Sequence, residues 1–102
     1  MTSYSGMKPG IVEAYRRALV FNNGLLIKNY SERYDFTVSQ KVLKMRAQGI
    51  SEEVIARYER RQVELKPRRE ERYRTKLEAS VEPNVRRYAS NIMAFIRGEP
   101  PD

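Results

Sequence analysis

The first third of the chain carries hydrophobic positions at helical spacing. Steps of three and four residues connect an apolar series made of Ile11, Ala14, Ala18, Phe21 and Leu25. A series of this kind forms one buried face of an α-helix, while polar residues occupy the other face. The pattern predicts an amphipathic helix from Pro9, a residue that suits the first helical turn. A turn-forming triplet, Asn22-Asn23-Gly24, is expected to end or distort this helix near its middle.

A second helix is predicted after a connection at residues 29–31. It begins at Glu32 or Asp35 and continues to about Gln48. Gly49 then provides a natural stop, because glycine readily adopts the left-handed backbone that ends many helices. The residues Tyr-Asp-Phe-Thr-Val at the start also have strand character, so the sequence leaves the beginning of this helix open.

Ser51 marks the start of a third predicted helix. Its hydroxyl can accept a hydrogen bond from a backbone N–H of the first turn. The carboxylates of Glu52 and Glu53 suit the positive end of the helix dipole. Pro67 is expected to kink or end this helix, because proline lacks the N–H that an interior position donates.

The residues after Pro67 are dense in charge. Segment 68–76 contains helix-forming residues but almost no apolar face, and an amphipathic helix follows from Pro83 to a stop at Gly98. We therefore predict an all-α fold in three parts. A flexible tail occupies residues 1–8, a three-helix bundle occupies 9–66, and a charged helical extension with a C-terminal amphipathic helix occupies 67–102.

Composition narrows the chemistry that the chain can perform. Its 102 residues include no cysteine, histidine or tryptophan. Disulfides, Cys/His metal sites and nucleophile pairs that need cysteine or histidine are therefore excluded. We expect no enzymatic activity, no metal site and no cofactor of the chain's own.

The charge balance points to an acidic partner. Twenty basic residues against 13 acidic ones give a net charge of +7. An excess of this size favours a nucleic acid, an anionic lipid surface or an acidic protein. The longest uncharged apolar run, Ala18 to Ile27, has ten residues and is too short to cross a bilayer, so no transmembrane span is expected.

The hexapeptide from Ala14 to Leu19 is the most informative short segment. Tyr15 lies at the edge of the apolar stripe, and Arg16 and Arg17 stand beside it on the polar side. Two guanidinium groups next to a tyrosine can hold a phosphate or a carboxylate. The structural alternative is a core tyrosine with two solvated arginines, and the six residues alone favour that alternative.

This hexapeptide resembles the signature of the LYR-motif family, small mitochondrial proteins of three helices. Segments 42–46 (Val-Leu-Lys-Met-Arg) and 49–54 (Gly-Ile-Ser-Glu-Glu-Val) resemble the second helix of that family and the entry to its third. The likeness covers about residues 11–66 and is greatest to the LYR subunit of the complex I membrane arm. Ala14 stands where the motif has leucine, and Met45 where the family usually has phenylalanine.

The resemblance implies a partner, the strongly acidic mitochondrial acyl carrier protein. The acyl-phosphopantetheine of the bound carrier would thread between the helices of the LYR-like bundle, with each buried CH₂ contributing about 0.8 kcal/mol. The expected carrier-binding residues are Tyr15, Arg16, Arg17, Lys41, Lys44 and Arg46. The expected acyl-chain seam consists of Ala14, Ala18, Val38, Val42, Met45 and Ile55. For Lys41 and Lys44 the alternative is a solvated helix face.

The function implied by the resemblance is that of a non-catalytic accessory subunit of a respiratory complex. It would lie on the matrix side of the mitochondrial inner membrane among the subunits of a large electron-transport assembly, with complex I favoured. A peripheral LYR-type subunit of the mitochondrial ATP synthase is the nearest alternative, and an assembly factor that binds the carrier transiently is another. A basic helical RNA-binding protein of a mitochondrial ribosome is the alternative from a different class. The acidic residues that interrupt the basic series 57–74 argue against a surface that only tracks phosphates.

Overall fold

A computed structural model describes residues 9–98 of the chain. This part consists of two long α-helices, α1 at Pro9–Ala47 (39 residues) and α2 at Glu52–Ile96 (45 residues). The all-α prediction is confirmed, but the predicted three-helix bundle is wrong. Helices one and two of the prediction are a single helix. The third helix, the charged extension and the C-terminal amphipathic helix are likewise one continuous helix, α2.

The Asn22-Asn23-Gly24 triplet lies inside α1 without interrupting it. A glycine in a helix costs only about 1 kcal/mol relative to alanine, which favourable packing can offset. Asn23 also gains a partner here, because its Nδ2 donates to the carbonyl oxygen of Leu77 on α2 at 3.4 Å. The triplet therefore has a low helix propensity, but this is not enough to end the helix.

Pro67 lies inside α2, which continues past it for about eight turns. Proline removes one backbone hydrogen bond and costs about 3 kcal/mol in a helix interior. Contacts with α1 follow on its C-terminal side: the ring of Tyr73 stacks on Tyr30, and Arg69 donates to the hydroxyl of Tyr34. Such packing of α2 on α1 can offset the cost of the proline.

The turn between the helices forms where the sequence predicts it. Gly49 has a φ of +78°, its N–H donates to the carbonyl of Arg46, and the N–H of Ile50 donates to the carbonyl of Met45, both at 3.0 Å. This pair of bonds is a Schellman motif, which requires the left-handed backbone that glycine accepts most easily. Ser51 then caps α2, since its Oγ accepts from the N–H of Val54 at 3.4 Å. The predicted stop and the predicted cap are both confirmed.

Residue contacts divide the described chain into two units. The hairpin unit, residues 25–75, contains the turn and the flanking parts of both helices, which run antiparallel. Its buried core consists of Val42, Met45 and Ile55, and the half-buried Ile50 and Tyr58 pack against it. The core of this unit is filled by the chain's own side chains.

The terminal unit pairs the beginning of α1 with the end of α2. It comprises residues 9–24 and 76–98, again antiparallel. Its buried residues are Val12, Val81, Val85 and Ala89, with Tyr15 and Leu19 partly buried against them. Each unit therefore has a small core of its own. Neither described helix contains an apolar stretch long enough to cross a membrane.

Candidate docking surfaces

The tyrosine of the LYR-like hexapeptide is used in packing. In the terminal unit the ring of Tyr15 stacks on the ring of Tyr88, with centroids 3.9 Å apart and planes 6° from parallel. Both side chains are half-buried. Stacked aromatic pairs add about 0.5–1.5 kcal/mol beyond the area that they bury. Tyr15 thus has a structural contact that explains its place in the sequence.

Arg16 is held by two carboxylates of the terminal unit. Its Nε and Nη2 donate to both carboxylate oxygens of Glu82, at 2.7 and 3.1 Å, and its Nη1 donates to Glu13 at 2.7 Å. The hydrogen bonds to Glu82 and Glu13 raise the pKa of Arg16, and the bonds from Arg16 lower the pKa of Glu82. An acidic partner would have to displace these carboxylates to reach Arg16. Its neighbour Arg17 is exposed.

The other three predicted carrier-binding residues lie in the hairpin unit. Lys41 and Lys44 are exposed, and no carboxylate among residues 9–98 forms an ion pair with either. Arg46 donates to Glu52 at 3.0 and 3.1 Å, a hydrogen-bonded pair that lowers the pKa of Glu52. The six residues are therefore divided between the units, and Arg17, Lys41 and Lys44 are the ones with their charges available.

The predicted acyl-chain seam is also divided. Ala14 and Ala18 are exposed residues of the terminal unit. Val42, Met45 and Ile55 are buried together in the hairpin core, and Val38 is half-buried one turn before Val42 on α1. The structure thus brings three of the six residues into contact, as a filled core. The assignment of these residues to an acyl chain stays a prediction.

A basic surface surrounds a groove close to the turn. The groove has a volume of about 650 Å³, and Met45, Val54 and Tyr58 contribute its apolar lining. Lys41 lies on the same face of α1 as Met45, because the two are four residues apart. Three exposed arginines, Arg57, Arg60 and Arg61, line the groove. We define the turn-proximal basic surface as these arginines together with Lys41 and Lys44, two exposed cations of α1 within four residues of Met45. Within the described residues none of these five is in an ion pair.

A second groove of the hairpin unit is lined by tyrosine and arginine. We define the Tyr–Arg groove, about 510 Å³ in volume, by its lining residues Tyr30, Arg33, Tyr34, Thr37, Val38, Tyr58, Gln62 and Arg69. No carboxylate belongs to this lining. Because Tyr58 lines both grooves, the Tyr–Arg groove adjoins the turn-proximal basic surface.

Hydrogen bonds and stacking fix the tyrosines of the Tyr–Arg groove. The hydroxyl of Tyr34 donates to Gln62 Oε1 at 2.7 Å and accepts from Arg69 Nη1 at 3.2 Å. The guanidinium carbon of Arg69 lies 5.7 Å from the centre of the Tyr34 ring, within the range of a cation–π contact. Tyr30 stacks on Tyr73 with centroids 4.7 Å apart. The groove is therefore ordered by its own side chains.

A third groove of the hairpin unit has a different charge pattern. It is lined in part by Asp35, Glu59 and Lys66, has a volume of about 230 Å³, and shares Tyr34 and Val38 with the Tyr–Arg groove. Lys66 donates to both oxygens of Asp35 at 2.8 and 3.0 Å, which raises the pKa of Lys66. This groove carries carboxylates and a neutralised cation, whereas the Tyr–Arg groove carries cations alone.

The sequence contained a signal for the Tyr–Arg groove that spacing alone did not resolve. Tyr30 and Tyr34 are four residues apart and so share a face of α1. Their partners Arg69 and Tyr73 have the same spacing on α2. The prediction of 68–76 as a separate extension places Arg69 and Tyr73 away from α1, and the structure corrects it.

Several large hydrophobic side chains remain exposed outside the grooves. Leu25, Phe36 and Leu43 lie on one face of α1, since separations of 11 and 7 residues return to nearly the same angle of a helix. Phe36 is 64% exposed and Leu43 is 57% exposed. The whole group of exposed large hydrophobics in the described chain is Ile11, Val20, Phe21, Leu25, Phe36, Leu43, Val54, Val63, Phe95 and Ile96.

Comparison with known proteins identifies no relative of this chain. No family model, no curated protein and no solved structure matches the chain. The resemblance to the LYR-motif family therefore stays a prediction from the sequence.

Proposed function

We propose that this chain is a non-catalytic adaptor subunit that holds an acidic protein within a larger assembly. The observation that carries the proposal is the turn-proximal basic surface, where three exposed arginines line a groove with apolar residues and two exposed lysines lie on the adjacent turn of α1, all without intramolecular ion pairs among the described residues. Cations of this kind attract an acidic partner and accelerate its association, while the groove accepts apolar side chains of the same partner.

The exposed apolar face of α1 supports the second half of the proposal, attachment to an assembly. The described residues include seven buried hydrophobic residues and ten large hydrophobic residues that are exposed. Exposed apolar residues aligned on one helix face, such as Leu25, Phe36 and Leu43, are typical of a surface that a neighbouring protein covers. One partner at the cations and another on this face would make the chain an adaptor.

The resemblance to the LYR-motif family gives this proposal its specific form. In that form the acidic partner is the mitochondrial acyl carrier protein. The assembly is an inner-membrane respiratory complex on the matrix side, complex I first and the ATP synthase second. The proposal rests on charge and exposed apolar surface, and it does not need an acyl chain inside a three-helix bundle.

Binding to RNA is less well supported by the same surface. Glu64 lines the groove of the turn-proximal basic surface, and Glu59 lies on the same helix. Carboxylates among the cations lower the number of phosphates that the surface can neutralise along a continuous backbone. An acidic protein has separate carboxylates, and each can meet a single cation. RNA is therefore the alternative outcome of the experiment below.

The test is affinity purification of the tagged full-length chain from its native cells, followed by native mass spectrometry. The variant Lys41→Gln/Lys44→Gln removes two cations of the basic surface. Lys28→Gln/Arg87→Gln removes two exposed cations elsewhere that have no ion pair among residues 9–98. We expect an acidic protein in the particle of the wild type and of this control, and about tenfold less of it with Lys41→Gln/Lys44→Gln.

Two results would contradict the proposal. One is equal recovery of the acidic protein with both double variants, which would place its binding elsewhere. The other is recovery of RNA in place of an acidic protein, with binding that falls steeply as salt rises. The mass of the particle also separates a permanent subunit from an assembly factor, because only a subunit is found in the complete complex.

A further inference from the structure

The Tyr–Arg groove combines free positive charge with an ordered apolar floor. Arg33 and Arg69 line it, both are exposed, and neither forms an ion pair with a described carboxylate. We propose that this groove recognises a short acidic segment of a partner protein in which a carboxylate stands beside an apolar side chain. The inference rests on the proposed adaptor function, since it assigns a second contact point to the acidic partner.

The two arginines supply the recognition of a carboxylate. A guanidinium group has five N–H donors in a planar fork and pairs with both oxygens of one carboxylate. Arg69 uses one described donor, Nη1, on the hydroxyl of Tyr34, and its remaining donors have no partner among residues 9–98. Arg33 has all of its donors available.

The floor of the groove supplies a place for the neighbouring apolar side chain. Val38 and Tyr58 are half-buried and line it from α1 and α2 respectively. Tyr34 is fixed by its bonds to Gln62 and Arg69 before any partner arrives. A groove that is already ordered loses little conformational entropy on binding. Its volume of about 510 Å³ has room for a few side chains of a peptide.

A neighbouring groove of the hairpin unit has a similar apolar lining but the opposite charge pattern. The third groove also has Tyr34 and Val38 in its lining, but it adds Asp35 and Glu59, and its cation Lys66 is bonded to Asp35. An acidic segment is repelled there and attracted to the Tyr–Arg groove. The charge pattern therefore selects one of two neighbouring grooves that have part of their apolar lining in common.

The stacking of the tyrosines favours a protein segment over RNA. Bases of single-stranded RNA bind by stacking on free aromatic faces. Tyr30 already stacks on Tyr73, and the guanidinium of Arg69 lies over the ring of Tyr34. One face of each ring is therefore already in contact, whereas all donors of Arg33 and all but Nη1 of Arg69 are without a partner among residues 9–98.

The experiment is fluorescence anisotropy with the full chain and three labelled probes. The first probe is a peptide with two leucines flanked by glutamates, the second has every glutamate replaced by glutamine, and the third is single-stranded polyuridine RNA. We expect the glutamate peptide to bind at least tenfold more tightly than the glutamine peptide. Arg33→Gln/Arg69→Gln should weaken it about tenfold, the effect of losing about 1.4 kcal/mol, while Lys28→Gln/Arg87→Gln should weaken it less than twofold.

A second variant keeps the test independent of the bond between Arg69 and Tyr34. Thr37 is exposed and lines the groove, so Thr37→Glu places a carboxylate there, and Thr37→Gln is its uncharged control. Thr37→Glu should abolish binding of the glutamate peptide, and Thr37→Gln should retain it. Equal affinity for the glutamate and glutamine peptides overturns the proposal. So does an equal loss of affinity in Arg33→Gln/Arg69→Gln and Lys28→Gln/Arg87→Gln, and so does preferential binding of the RNA.

The failure of this proposal is distinguishable from failure of the adaptor function. If the groove does not bind the peptide, an acidic protein can still be recovered in a manner that depends on Lys41 and Lys44. If no acidic protein is recovered from cells, the peptide measurement with purified chain still reports on the groove.

Discussion

Truncation of Ile55 is the sharpest test of the two-helix fold. Ile55 is 1% exposed and forms the hairpin core with Val42 and Met45, whereas Val63, two turns further along α2, is 73% exposed. Ile55→Ala removes three carbon atoms from a filled core, which at about 0.8 kcal/mol each amounts to about 2.4 kcal/mol before any cavity is counted. Substitutions of this kind cost about 2–5 kcal/mol in measured proteins. Val63→Ala should change the free energy of unfolding by less than about 0.5 kcal/mol.

The measurement is urea unfolding followed by circular dichroism at the helical band. With a slope of about 1 kcal/mol/M, a loss of about 2.4 kcal/mol lowers the midpoint by about 2 M. Val63→Ala is the matched control, because Val63 lies in the same helix and the same unit as Ile55 but is exposed. If both variants shift the midpoint equally, Ile55 is not in a filled core and α2 does not pack on α1 as described. An unchanged midpoint for Ile55→Ala leads to the same conclusion.

For four further substitutions the structure predicts whether stability rises or falls. Gly24→Ala should stabilise the chain by about 1 kcal/mol in thermal unfolding, because its new Cβ meets no atom within 4 Å and alanine favours the helix. Gly49→Ala should destabilise it by about 1 kcal/mol or more, because φ is +78° there. Pro67→Ala should raise the free energy of unfolding by about 1–3 kcal/mol in urea, and a lower value would show that α2 needs the proline. Glu82→Gln should flatten the loss of stability between about pH 5 and pH 3: the lowered pKa of Glu82 stabilises the folded chain above the unfolded pKa, and this contribution is lost as the pH falls.

The ends of the helices at the turn were predictable because their causes are local. Gly49 and Ser51 act through bonds to residues within five positions of themselves. A glycine that must adopt positive φ and a serine that caps the next helix give the same result in most surroundings. The sequence alone therefore places this turn correctly.

The continuity of the helices was not predictable in the same way. Whether a helix passes through Gly24 or Pro67 depends on the free energy that packing contributes on both sides. The stack of Tyr30 on Tyr73 and the bond of Arg69 to Tyr34 join residues 35 or more positions apart. Periodicity within one segment contains no information on such contacts, so a helix-breaking residue predicts an end that packing can override.

The candidate site shows the same division. The exposure of Lys41 and Lys44 is predictable from residue type, because a lysine without a partner is rarely buried. The hydrogen bonds between Arg16 and Glu82 join residues 66 positions apart, so the sequence alone does not predict them. The Tyr–Arg groove has the same origin, since both helices contribute to it.

The pairing of the cations predicts that the proposed acidic partner binds the hairpin unit and not Arg16. At Arg16 a partner's carboxylate replaces Glu82 and Glu13, so the exchange of hydrogen bonds brings little net gain. At Lys41 and Lys44 nothing is displaced except water. Arg16→Gln should therefore lower the thermal stability of the chain and leave the recovery of the acidic protein unchanged. Lys41→Gln/Lys44→Gln should leave the thermal stability unchanged and lower the recovery. If Arg16→Gln abolishes recovery while the folded fraction is unchanged, the hexapeptide is the docking site and the role assigned to the turn-proximal basic surface is wrong.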